Sequence, residues 1–150
     1  MMSKRLTSRG RHTVLPIIGD TLVEICLSMC NLPALVFKAE DGSEAEITIE
    51  DCTTLQRGDQ EHLLEGSKPG TSFNPKELAP LLELLGSAVT DAVAEREGLL
   101  RITFANKLVL EVAPSRGYEA WHFHAPRPGR PAVGNREQAI SLTGAYGHLI

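Results

Sequence analysis

Apolar and polar residues alternate in several short runs along the chain. From Thr21 onward Val23, Ile25, Leu27 and Met29 fall on one side and Glu24, Cys26 and Ser28 on the other, which is the period of a half-buried strand. A second run, Leu35 to Glu40, leads into Asp41-Gly42, a pair suited to the positive φ of a tight hairpin turn. The third run, Glu44 to Glu50, places Ala45, Ile47 and Ile49 inward and Glu44, Glu46, Thr48 and Glu50 outward. Residues 51–72 hold no sustained period and carry Gly58, Gly66, Pro69 and Gly70, so they read as one long connection.

At Asn74-Pro75 with Glu77 the pattern changes to a helix start: a capping side chain, a proline at the first helical position and a carboxylate closing a capping box. Leu78, Leu81, Leu82, Leu85, Val89, Ala92 and Val93 follow at three- and four-residue spacing, one apolar stripe from about Asn74 to Arg96, with Pro80 expected to kink it and Gly98 to end it. Period two then returns. Leu100, Ile102 and Phe104 are answered across a turn near Asn106 by Leu108, Leu110 and Val112, a second hairpin. Tyr118 to His124 supplies a further strand, Pro126, Pro128, Gly129 and Pro131 interrupt, and a short strand is expected around Ala139 to Leu142. No internal repeat at solenoid periods is present, although both halves contain hairpins. The expectation is an α+β fold: a largely antiparallel sheet of five to seven strands packed on one main amphipathic helix.

A chain of 150 residues, 42% hydrophobic and 23% charged, is sized and composed to bury a core without staples. Residues 1–12, with Lys4, Arg5, Arg9 and Arg11 and only Leu6 to bury, read as a flexible basic arm ahead of one domain over 13–150. No apolar run approaches the roughly 20 residues of a membrane helix, and the basic start lacks the apolar stretch of a secretory signal. Cys26, Cys30 and Cys52 cannot all pair within one chain. These features predict a cytoplasmic protein with reduced thiols.

Charge sharpens the picture. The net charge of −4 includes the basic arm, so the rest is more acidic, and nine acids between Glu40 and Glu65 face Arg57 alone. Such a field disfavours nucleic acid and favours a basic protein partner, with Glu40, Asp41, Glu44, Glu46, Glu50 and Asp51 as candidate contacts. No phosphate-cradling, dinucleotide, nucleophile-elbow or zinc-protease motif occurs, so no cofactor is expected. His122 and His124, two apart on a strand, point to one side and could chelate an ion, but two ligands do not make a site. Cys26 and Cys30 would lie about 13 Å apart on a straight strand, too far to share zinc. Strict alternation places Glu119 beside Trp121 and Phe123, so it needs either water or a partner such as Arg101 or Arg116.

Tyr118-Glu119-Ala120-Trp121, coming after Gly98 to Phe104, a turn, and Leu108 to Val112, resembles a bacterial family of small proteins named domain of unknown function, number sixty-one eighty-eight. Its members carry a Tyr/Phe-Glu-Ala-Trp strand after a hairpin, and Ile18 to Glu24 fits their opening strand. The chain departs at Asn135-Arg136-Glu137-Gln138, where the family has a Gly-Gly-containing strand, and at Ala105-Asn106-Lys107, where its turn is often Asp-Gly. The resemblance implies an α+β fold and no known activity; similar small proteins are often immunity-like partners of toxins. Two functional readings follow. One is a non-enzymatic protein-binding module, concretely an immunity-type inhibitor of a basic toxin. The other is a small metal-dependent enzyme or sensor centred on the strand of Tyr118, Glu119, Trp121, His122 and His124. Neither reading fixes an oligomeric state, and a homodimer is compatible with both.

Overall fold

A computed structural model describes residues 5–27, 32–50, 52–64, 75–114, 119–126, 139–145 and 148–149. Among the described residues thirteen strands form in chain order: β1 (Thr7–Arg9), β2 (His12–Val14), β3 (Thr21–Leu27), β4 (Pro33–Lys38), β5 (Glu44–Ile49), β6 (Thr53–Arg57), β7 (Gln60–Leu64), β8 (Val89–Glu95), β9 (Leu100–Phe104), β10 (Val109–Val112), β11 (Glu119–Pro126), β12 (Ala139–Ala145) and β13 (His148–Leu149). They make two antiparallel sheets, β1-β2-β8-β9-β10-β6-β7 and β13-β12-β11-β5-β4-β3. The inner faces share one core, to which Leu35, Ile47 and Phe123 come from the second sheet and Ile102, Leu110 and Leu55 from the first. Phe37 and Phe104 stack between them with centroids 6.5 Å apart. Among the described residues no helix is long and apolar enough to cross a membrane.

The α+β expectation is therefore overturned: the described residues are mostly β-strand with one short helix, and no main amphipathic helix is found among them. Its first part, Pro75–Leu84, is a 3₁₀ helix with Pro80 inside it. Proline there denies an α-helix a donor and clashes with the preceding turn. The tighter winding of three residues per turn aligns Leu78, Leu81 and Leu84, all buried, and turns Leu82 and Leu85 outward at 59% and 40% exposure. Its second part is strand β8. A register shift between Val89 and Asp91 puts Val89 and Ala92 on the core side, and that three-residue gap imitates helical spacing in the sequence.

Two further stretches differ from their sequence reading. Within the supposed connection 51–72, β6 and β7 form a hairpin over Gly58-Asp59, with Gly58 at φ 56°. Within the supposed arm, β1 and β2 form a hairpin whose second strand covers the edge of β8. The hairpins at Asp41-Gly42 and Asn106 and the strand from Ala139 occur as expected.

The topology contains a two-fold repeat. One constant step along the chain carries Gly19, Leu22 and Phe37 onto Gly86, Val89 and Phe104, and the pairs of β3 with β4 (Leu22↔Phe37, Glu24↔Val36, Ile25↔Leu35) onto those of β8 with β9 (Val89↔Phe104, Asp91↔Thr103, Ala92↔Ile102), bulge included. Hydrogen bonds between the halves are reciprocal. Gly19 N donates to Val89 O and Gly86 N to Leu22 O, both at 2.8 Å; Leu22 N donates to Ser87 O at 3.1 Å and Val89 N to Asp20 O at 2.8 Å. Each half builds a three-stranded meander, β3-β4-β5 or β8-β9-β10, then sends its next hairpin to the other half's sheet: β6-β7 joins β10, and β11-β12 joins β5.

Candidate functional site

The six-stranded sheet presents one face to solvent, and its register places Glu44, Glu46, His122 and His124 of the candidate residues in rows across that face. The alternation of β5 buries Ala45, Ile47 and Ile49 and leaves Glu44 and Glu46 exposed with Thr48 half-buried. One row runs Glu24, Val36, Glu46, His124; the next runs Cys26, Ala34, Thr48, His122; Lys38 pairs with Glu44. The imidazoles of His122 and His124 stack with centroids 6.4 Å apart. Thr48 Oγ1 donates to Glu46 Oε1 at 3.5 Å. At the edge strand the Cys26 thiol donates to Glu24 Oε1 at 3.1 Å. That bond, with lesser help from the charges of Glu24 and Glu46, raises the Cys26 pKa above its ordinary value.

This arrangement bears directly on chemistry. Among the described residues no group of three or more His, Cys, Asp or Glu side chains is placed to hold a metal. Cys26 and His122 share a row but stand three strands apart, about 14 Å at the usual inter-strand spacing, so they do not form a nucleophile and base. Trp121 is fully buried and its Nε1 donates to Gly98 O at 2.7 Å, which makes it a core residue tying the sheets together. A register shift lies between Glu119 and Trp121, so strict alternation does not run through this part of β11. Arg101, the supposed partner of Glu119, is on the other sheet, held by Glu111 at 3.0 Å and Glu95 at 3.5 Å.

The acidic candidates separate into roles. Glu40, Glu44 and Glu46 are exposed. Asp41 fastens its own turn, its Oδ1 accepting from Ser43 N at 2.9 Å and Ser43 Oγ at 2.6 Å, a local use typical of Asx turns. Glu50 is half-buried, with its N donating to Ala120 O at 2.8 Å. Asp51 and Tyr118, and the side chain of Glu119, lie outside the described residues. The acids Asp59 and Glu61 belong to β6-β7 on the other sheet, so the acidic stretch is divided between two surfaces.

A groove of about 440 Å³, which the sequence does not signal, lies between the β6-β7 hairpin and the 3₁₀ helix, lined by Leu55, Arg57, His62, Pro80, Glu83 and Leu108 among others. An ion pair of Arg57 with Glu83 spans it. Its residues come together only through the exchange of hairpins.

Among known proteins, the model of a family of unknown function, DUF6188, matches residues 15–138. No curated protein and no solved structure matches the chain.

Proposed function

The chain belongs to the DUF6188 family, and we propose that it is a non-enzymatic binding module that presents the outer face of its six-stranded sheet to a basic protein. One observation carries this reading: Glu24, Glu44 and Glu46 share a single exposed face on which, among the described residues, Lys38 is the one lysine or arginine. Clustered charge of one sign on a rigid sheet accelerates encounter with an oppositely charged partner. An immunity-type inhibitor of a basic toxin is the concrete form of this function. The test is association kinetics at low and moderate salt, with a cationic protein encoded beside the gene as partner. The double substitution Glu44→Lys with Glu46→Lys should slow association about tenfold or more at low salt, and the difference should shrink as the Debye length shortens. The fold should persist, because both side chains point away from Ala45, Ile47 and Ile49. An unchanged association rate would leave the acidic face as solvated surface only.

A further inference from the structure

The repeat exposes a difference between two equivalent edges. In the seven-stranded sheet, β8 is covered by β2, with Val14 opposite Val93 and Thr13 opposite Ala94, and Leu15 N donating to Ala92 O at 2.9 Å. In the six-stranded sheet, β3 stands last; Ala88 bridges Thr21 and residues 86–87 bond to Leu22 at its start, but among the described residues no strand pairs with its outer side beyond Leu22. The repeat maps Ala92 onto Ile25 and Ala94 onto Leu27. Because antiparallel neighbours exchange bonds at alternate residues, the main-chain groups of Ile25 and Leu27 face the open edge as those of Ala92 and Ala94 face β2. Burial differs between the two edges: Ala94 is 0% exposed, whereas Leu27 is 48% exposed.

Charge indicates the occupant. The hairpin covering β8 carries Arg9, whose Nη1 lies 3.4 Å from Asp91. Under the repeat Asp91 corresponds to Glu24, which stands on β3 in the same row as Glu46. The covered edge thus pairs an acid with a basic strand, whereas at the open edge, among the described residues, no basic strand stands beside the acid. A second copy of β3 paired antiparallel about Glu24 would set two carboxylates opposite each other, which like-charge repulsion disfavours.

We propose that the outer edge of β3 receives an extended, antiparallel segment of a basic partner protein, bonded to the main chain of Ile25 and Leu27 and steered by a basic side chain to Glu24. This is strand addition, in which backbone pairing supplies affinity and side chains supply selectivity. It rests on the reading of a basic partner and specifies how that partner is held.

The test uses the full chain and a synthetic peptide with the sequence of its own residues 5–14, which carries Arg5, Arg9 and Arg11. Amide exchange followed by NMR should show Ile25 and Leu27 slowed by the peptide, and Glu24→Lys should weaken that protection at least tenfold. Unprotected Ile25 and Leu27 amides at saturating peptide overturn the proposal. So does protection without peptide accompanied by a doubled mass in sedimentation, which would assign the edge to a second copy. The Glu44→Lys, Glu46→Lys variant separates this proposal from the acidic-face reading. If it associates with the cationic partner normally while the peptide still protects β3, the face has failed and the edge stands. If association slows but β3 is never protected, the edge has failed and the face stands.

Discussion

Leu81 and Leu82 are adjacent leucines with opposite fates, decided by how tightly the chain winds at Pro75–Leu84. Leu81 is 1% exposed, so Leu81→Ala should cost about 2–5 kcal/mol, as buried leucine truncations do. Leu82→Ala should stay within about 0.5 kcal/mol, the usual range for surface changes. Urea denaturation of both variants checks this, and equal losses would mean that the winding is α rather than 3₁₀. Trp121→Ala should cost about 3–5 kcal/mol, since it empties a core site and strips the Gly98 carbonyl of its donor. A Trp121→Ala midpoint equal to the parent's would instead place the indole at the surface. Cys26 offers a test by pH. A raised pKa means less thiolate at a given pH, so despite its exposure Cys26 should alkylate slowly at pH 8, and Glu24→Ala should accelerate it. Peptide-resolved mass spectrometry of iodoacetamide labelling across pH reads this directly. A pH profile that does not move on removing Glu24 would show that the hydrogen bond has no hold on the thiol.

Secondary structure was legible where strands alternate without interruption and illegible where a bulge changes their phase. β5 and the β9-β10 hairpin read directly from period two, and so did their turns, because Asp41 and Asn106 supply the side-chain oxygens that close them. β8 read as helix because its bulge spaces buried residues as a helix would, and β3 hid the matching bulge between Leu22 and Glu24. β6-β7 passed for a loop since its described residues bury only Thr53, Leu55 and Leu64. The rows of the candidate face were half legible: outward positions on β5 and β11 follow from alternation, but which strands neighbour each other depends on the exchange of hairpins. The bulged strands share an entry device. Gly19 and Gly86 precede β3 and β8 with φ 89° and 82°, and a Cβ at either would meet nothing within 4 Å. Alanine at either position should therefore cost only the backbone strain of positive φ, about 1–2 kcal/mol, and nearly the same at both. Thermal melts of the two single variants test the equivalence, and a large loss at one with none at the other would break it.

At the scale of the molecule, the exchange of hairpins decides what holds the chain together. β6-β7 lies in the first half of the sequence but pairs with β10, while β11-β12 lies in the second half and pairs with β5. A two-stranded hairpin is marginal by itself in water, so each needs the other half's meander to persist. The covalent link between Leu64 and Pro75 is consequently not what joins the halves. A protease site inserted between those two residues should, once cut, leave a product that elutes as one species and melts in a single transition. After separation in denaturant neither fragment should unfold cooperatively alone, since each would carry a meander without its neighbour and a hairpin without its sheet. Mixing should restore the emission of Trp121, the single tryptophan, because its burial on β11 requires β5 from the other fragment. Regain should be slow on the scale of helical proteins, as the pairings that join the halves, β11 with β5 and β6 with β10, must form between fragments. Should the cut product fall apart in native buffer, or should the first fragment melt cooperatively at a midpoint independent of its concentration, the halves are autonomous and the exchange contributes little to stability.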